Sequence, residues 1–370
     1  MLLPEQERTL TELLAALIDQ EAAKVLVPPY ANAAGYWFGG GNVARDDHGR
    51  LWLVGRYRNE GDARSGVAKG VRGLELGLFI SEDGGERFTK IRSWSKADLS
   101  MAERPVLSIE GAALHPCDTG WELFVSTEKA VAYPDEVGPF QKPGTGVWSM
   151  DVFTGPSPDR LDERTLDPVF TATPDPRYLH VKDPVVFDRA DGATVLVFCS
   201  HPFCWTSVNS GYAVRPAGAR SFAVLDWEMV GRGPTWDVAG TRVTCRMSVP
   251  RLGVFAAAPP MSVYFYDGLE CVRALDQNPH GVQRPRGYSC EELGGAGYGL
   301  DAEFPRIERL SKLRPLFVSP HGTGCSRYVS VLVDDAGMLA TWQQGQEDGS
   351  QPLVGLRLTT EEIGRIINTG

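Results

Sequence analysis

The chain has 370 residues, 42% of them hydrophobic and 23% charged, with a mean hydropathy of -0.19, a composition that excludes both a largely disordered chain and a multi-span membrane protein. Lys+Arg 37 against Asp+Glu 47 leaves a formal net charge of -10, so nothing draws the chain to phosphate backbones or anionic lipid, and neither nucleic acid nor membrane is expected as a partner.

Near the start, Leu10, Leu13, Leu14, Leu17 and Ile18 fall at helical spacing and predict an amphipathic helix within residues 5–25. No basic n-region precedes it, and Glu5 and Glu7 lie early, so the expectation is an unexported, cytoplasmic protein. Seven cysteines (Cys117, Cys199, Cys204, Cys245, Cys271, Cys290 and Cys325) are an odd number without a CxxC pair. They read as free thiols rather than a disulfide framework or a zinc site. No HxH or HExxH spacing marks a metal, and Gly39-Gly40-Gly41 and Gly294-Gly295 fit no nucleotide loop, so no metal and no cofactor is expected.

Beyond the first helix the chain reads as strand and turn. A short β-rich run, a polar turn with glycine and a returning strand recur at Gly41–Gly55, Glu110–Val125, Asp183–Phe198 and Arg327–Gly337. The turn glycines are Gly49, Gly120, Gly192 and Gly337, at intervals of 71, 72 and 145 residues. The last interval is twice about 72, which leaves room for one more copy, placed at Val243–Phe255 with a turn near Pro250-Arg251. Repeated multi-stranded units that bury their faces against neighbours predict an all-β chain, a five-bladed β-propeller. Ser81-Glu82-Asp83-Gly84-Gly85-Glu86-Arg87-Phe88 resembles the Asp box, a hairpin on outer propeller turns, and is read as structural. At the end, Thr359 and Glu362 form a capping box before Ile363, Ile366 and Ile367. The expected organisation is a helical segment at 1–30, a propeller at 31–358 and a C-terminal helix at 359–370.

In a propeller the openings of the innermost strands converge on one axis. Here they are Gly41-Asn42, Glu110-Gly111, Lys182-Asp183, Asp237–Gly240 and His321–Ser326. Asp183 opens an apolar run, Pro184 to Phe187, where an ionisable group is costly unless it faces a polar cavity. Glu110 and, in a loop, Glu303 are further acids for proton transfer, since acids crowded at one mouth separate in pKa. Their bland readings are an ion pair for Glu110 and a solvated loop acid for Glu303. Asn42, Arg56, Lys182, His201, Asp237 and His321 are candidates for binding hydroxyl groups, and Trp37 and Trp205 for stacking against a sugar ring. Turn capping for Asp237 and a satisfied loop position for either histidine are the competing readings.

Lys182-Asp183-Pro184-Val185-Val186-Phe187, Ile109-Glu110-Gly111-Ala112 and Phe38-Gly39-Gly40-Gly41-Asn42-Val43 with Leu53-Val54-Gly55-Arg56 resemble the inner-strand motifs of the five-bladed glycoside hydrolases and phosphorylases, families 32, 43, 117 and 130. The resemblance implies a glycoside hydrolase that takes the terminal sugar of an oligosaccharide with paired carboxylates, inverting rather than retaining, without a cofactor. Families 32 and 43 open blade one with an aspartate, where this chain holds Gly40, Gly41 and Asn42. Family 130 uses a second-blade acid, which falls on Glu110, and its phosphorylases imply an alternative, phosphate held by Arg56, Arg58, His201, Arg242 or Arg246. A non-catalytic propeller that binds a glycan or protein is the competing class. The apolar faces of the terminal helices are read as covering blades or building a homo-oligomer.

Overall fold

The computed structural model describes residues 2–59, 71–141, 145–171, 175–201, 207–270, 291–322 and 324–369. Five antiparallel sheets follow one another along the chain. Blade 1 holds β2 (Trp37–Gly39), β3 (Val43–Arg45), β4 (Leu51–Asn59), β5 (Val71–Ser81) and β6 (Thr89–Ser95). Blade 2 holds β7 (Val106–Cys117), β8 (Gly120–Lys129), β9 (Val147–Gly155) and β10 (Asp162–Phe170). Blade 3 holds β11 (Leu179–Asp188), β12 (Thr194–His201), β13 (Asn209–Arg215) and β14 (Ala223–Val230). Blade 4 holds β15 (Gly240–Ser248), β16 (Met261–Glu270), β17 (Glu291–Leu300) and β18 (Glu308–Arg309). Blade 5 is built from β19 (Ser326–Asp334), β20 (Gly337–Gln344), β21 (Leu353–Thr359) and, on its outer edge, β1 (Lys24–Val27). The fold is thus a five-bladed β-propeller with a helix near each terminus, α1 (Pro4–Leu17) and α2 (Thr360–Thr369).

Each blade packs on both faces, so its middle strands read as unbroken buried runs rather than alternating ones; every residue of β12 is buried. Each seam has its own apolar cluster. Trp52, Val54, Leu114 and Leu123 fill the seam of blades 1 and 2, and Phe124, Met150, Val181 and Phe198 that of blades 2 and 3. Val197, Val243, Tyr264 and Tyr266 fill that of blades 3 and 4, and Phe38, Leu53, Phe79 and Leu339 that of blades 5 and 1. Blades 4 and 5 share the largest cluster with the helices, where Leu10, Leu13, Leu14 and Leu17 meet Phe265, Trp342, Ile363 and Ile367.

The sequence expectations meet several local corrections. The first helix stops at Leu17, short of residue 25, because Asp19 caps the amides of Glu21 and Ala22 at 2.9 and 3.1 Å and the chain then joins blade 5 as β1. The fourth repeat does not turn tightly near Pro250: twelve residues separate β15 from β16, with a 3-10 turn at Gly253–Phe255. The Asp-box stretch connects β5 and β6, where Asp83 accepts from the amide of Arg87 at 3.0 Å and Ser81 from that of Gly85 at 2.9 Å. The C-terminal capping box forms, with Thr359 N–H donating to Glu362 at 2.8 Å and Glu362 N–H to Thr359 at 3.2 Å.

The feature that shapes the site repeats around the axis. The ladder between first and second strands is interrupted between Ile109 and Ala112, Lys182 and Val185, Val243 and Cys245, and Arg327 and Ser330. In blade 1 the inner strand is split outright, β2 and β3 both pairing with β4 on either side of Gly40–Asn42. A bulge turns a side chain out of the pleat, and here it does so at one level in all five blades. Asp183 (φ 57) and Tyr328 (φ 54) occupy the left-handed region, a strained conformation for a residue with a side chain.

Candidate active site

At the level of the bulges the axis narrows to a void of about 20 Å³ lined by Gly40, Gly41, Gly111, Asp183, Thr244 and Tyr328, among others. Gly41 packs against the backbone of Val54, and a Cβ there would collide with the Val54 carbonyl. Around this void lie charged side chains from every blade.

Glu110, on the bulge of blade 2, accepts from the Ser108 hydroxyl at 2.7 Å and lies 3.6 Å from Arg56. Burial opposes its ionisation, but the charges of Lys182 and Arg56, with the Ser108 hydrogen bond, outweigh that and hold its carboxyl at about 2. It is a carboxylate at any physiological pH. Asp183, on the bulge of blade 3, is 5% exposed. Its carboxylate takes the Gly111 amide at 3.1 Å, Arg242 at 3.3 Å and the Cys199 thiol at 3.5 Å, while its own N–H donates to Ser126 at 3.0 Å. Ser126 in turn donates to the Gly111 carbonyl at 2.7 Å, so one hydroxyl fastens both bulges.

Arg242 is the hub. Besides Asp183 it reaches Asp267 at 2.6 Å and Glu292 at 3.1 Å, and its guanidinium lies 4.0 Å from the centre of the Tyr328 ring. Arg327 also pairs with Glu292, and Arg56 donates to the Tyr328 hydroxyl at 3.2 Å. The two carboxyls that share Arg242 split in opposite senses. Burial, with repulsion from Glu292, pushes Asp267 up to about 7 despite Arg242. Glu292 is driven well below its ordinary range, because Arg242 and Arg327 together overcome its burial. The two carboxyls on this hub are thus set far apart in proton affinity, Asp267 high and Glu292 low.

Seven of the residues singled out from sequence meet at this end of the axis: Glu110, Asp183, Lys182, Arg56, Arg58, Arg242 and Trp37. Lys182 lies 5.7 Å from the Trp148 ring and is held protonated: burial disfavours the charge, and Asp183 and Glu110 more than restore it. Trp37 sits with the guanidiniums of Arg58 and Arg327, each 4.4 Å from its ring centre. His201 is buried at the same end of blade 3, its ring 5.9 Å from that of His180.

Other candidates lie elsewhere. Asn42 spends both ends of its amide on the backbone of Leu114, at 2.8 and 2.9 Å, and serves as a clip between blades 1 and 2. Asp237 is buried against Arg309 of the outer strand β18 at 2.9 Å and Tyr266 at 3.3 Å. Glu303 follows the C-terminal end of β17, which pairs with the start of β16, so it occupies the opposite end of blade 4; it is half-exposed beside Arg306 at 3.6 Å. Arg246 is at that end too, paired with Asp301 at 3.0 Å. His321 is half-exposed, 3.3 Å from Glu347. Trp205 falls outside the described residues. Sequence reasoning passed over Asp267, Glu292, Arg327 and Tyr328. Asp267 and Glu292 belong to the second and third strands of blade 4, not to a strand opening, and the one visible signal was a charge inside the apolar run Ser262–Leu269.

Among the described residues no cluster of His, Cys, Asp and Glu is arranged to hold a metal ion, and no helix is long and apolar enough to cross a membrane. No protein-family model and no curated protein matches the sequence. Solved structures do match its shape. An alpha-L-arabinofuranosidase from Lactobacillus brevis superposes with a TM-score of 0.55 at 13% identity over 92% of this chain and 94% of that one. RS223-beta-xylosidase gives 0.55 at 10% identity over 92% and 95%. A beta-1,2-mannobiose phosphorylase from Listeria innocua gives 0.53 at 13% identity over 93% and 97%. With 92% or more of each chain aligned, the likeness extends over whole chains. The protein shares the five-bladed propeller fold of these glycoside hydrolases and of this phosphorylase.

Proposed function

We propose that this protein is a glycoside hydrolase that removes the terminal sugar of an oligosaccharide at the mouth of the propeller. The observation that carries the reading is the pairing, around one axis, of an ionised Glu110 with the Asp267–Glu292 pair, a base and an acid of separated pKa. Asp183 holds Arg242 and the Gly111 amide and so positions both. Blades 2 and 4 are not neighbours, which supports a carboxyl separation wide enough for a water molecule and hence inversion. The constriction at the bulges supports exo action, since a chain end enters but no polymer threads through. Among the described residues Cys117, Cys199 and Cys245 are free thiols, which supports a reducing, cytoplasmic setting.

Phosphorolysis is the second reading, favoured by one observation: Arg56, Arg58, Arg242, Arg327 and Lys182 crowd the same space. Release of reducing sugar from aryl glycosides and oligosaccharides, with and without phosphate, tests both. Free sugar independent of phosphate, lost in Glu110→Gln, supports hydrolysis; sugar 1-phosphate moves the assignment to phosphorolysis. Silence across the panel with retained glycan binding points to a binding propeller.

A further inference from the structure

The charges around the axis do not balance. Among the described residues Arg56, Arg58, Arg72, Lys182, Arg242 and Arg327 face Glu110, Glu128, Asp183, Asp267 and Glu292, and Arg72 is matched by Glu128 at 2.8 Å. The whole chain carries a formal charge of -10, so a local excess of cation here runs against the protein's own balance.

The excess can be assigned to one residue. Arg56 has Glu110, Arg327 has Glu292, Arg242 has Asp183, Asp267 and Glu292, and Lys182 gains from both Asp183 and Glu110. Arg58 has no carboxylate in contact among the described residues, and its Nε and Nη2 atoms are buried without an acceptor. Burial pulls its guanidinium down to about 10 although the charge of Glu110 favours it, and Arg327, Arg56 and Arg72 push in the same direction as burial. A buried, unsatisfied donor pair on a cation is costly to maintain. Its guanidinium lies 4.4 Å from the ring centre of the buried Trp37, which Arg327 approaches at the same distance. A planar fork of donors next to an aromatic face suits a sugar ring that bears a planar anion. The unmatched donors belong to one guanidinium, whose planar fork fits a single carboxylate.

We propose that the sugar unit taken by this site is a uronic acid, with its carboxylate on the Arg58 fork that Trp37 backs. The proposal rests on reading the funnel as a glycoside site and names the substrate class of that site.

The test is calorimetric binding of glucuronate and galacturonate to the full chain, with glucose, galactose, glucose 6-phosphate and inorganic phosphate as comparators, in wild type, Arg58→Gln and Arg58→Lys. At least one uronate is expected to bind about tenfold or more tightly than its neutral counterpart, and Arg58→Gln to erase that difference. Arg58→Lys, which keeps the charge without the fork, should recover part of it. The ligand-free Arg58→Gln protein should melt no lower than wild type, since it loses a buried charge that has no partner; a purely structural arginine would lower it. Neutral sugars bound as tightly as uronates, uronate affinity indifferent to Arg58, or inorganic phosphate alone depending on Arg58 would each overturn the proposal. Cleavage of neutral glycosides undiminished by Arg58→Gln would leave the hydrolase standing and refute the uronate. Arg58-dependent uronate binding in a protein that cleaves nothing would uphold the uronate and remove the hydrolase.

Discussion

The amide of Gly111 donates to Oδ1 of Asp183 at 3.1 Å, so the residue next to Glu110 on blade 2 grips the carboxylate of blade 3. A Cβ on Gly111 would run into that carboxylate and come within 3.0 Å of the Asp183 Cα. Gly111→Ala should therefore force the two bulges apart, at a cost of about 1–3 kcal/mol in stability, with turnover lost beyond what the stability change explains. Urea midpoints and kcat on the same preparation check both halves.

Asp183→Asn keeps the shape and removes the charge. Because Arg242 still holds Asp267 and Glu292, the expected destabilisation is about 1–3 kcal/mol rather than that of a fully orphaned cation. Activity should fall more steeply than stability, as the Asp267–Glu292 pair then has Arg242 to itself and yields its proton at lower pH. A leftward shift of the alkaline limb of the kcat profile is the readout; an unmoved limb would refute the coupling.

Glu110 contributes stability with a definite sign. Its folded value, about 2, lies below its ordinary 4.5, so the folded state binds the proton less readily than the unfolded chain does. The contribution is complete above pH 4.5 and drains away as pH falls toward 2. The melting temperature of wild type minus that of Glu110→Gln should shrink between pH 6 and pH 3, and a difference that grows on acidification would contradict the assignment.

Asp267 works in the opposite direction. Raised from 3.8 to about 7 by burial and by Glu292, it takes up a proton on folding throughout that interval. Its stabilising effect is therefore full below the lower value and disappears as pH rises through the upper one. Asp267→Asn should flatten the decline in denaturant midpoint between pH 5 and pH 8.

His115 offers a control far from the mouth. Its ring nitrogens face Glu122 at 3.3 Å and Asp188 at 3.2 Å, joining blades 2 and 3, while Arg215 holds Glu122 at 2.6 Å. His115→Leu should cost about 1–3 kcal/mol and leave kcat and KM unchanged below the transition.

The repeat was legible because its punctuation is chemical: Gly49, Gly120, Gly192 and Gly337 all adopt positive φ, from 79° to 133°, at the first hairpin of their blades. Blade 4 hid because its connection from β15 to β16 is long and carries no such turn. Glu110, Lys182 and Asp183 were found since each sits at the bulge of a first strand, where a charge interrupts an apolar run. Glu303 was read as a loop acid at the mouth, whereas β17 begins at Glu291 and carries the chain to the far end of blade 4. Asp267 and Glu292 join the site from the second and third strands of blade 4 through Arg242, a relation in space that no spacing in the sequence encodes.

The pairing of β1 with β21 sets Lys24 beside Gly355. The ribosome delivers the first of these long before the second, so α1 and β1 emerge with no sheet to join. The apolar face of Leu10, Leu13, Leu14 and Leu17 must stay shielded until blade 5 is finished. Blades 1 to 4 complete themselves from consecutive strands, so their formation during synthesis needs no distant partner. Closure of the circle is the one step that waits for β21, and it carries the largest loop entropy of the fold. A chaperone that binds helical apolar segments has its best target in this waiting N-terminus.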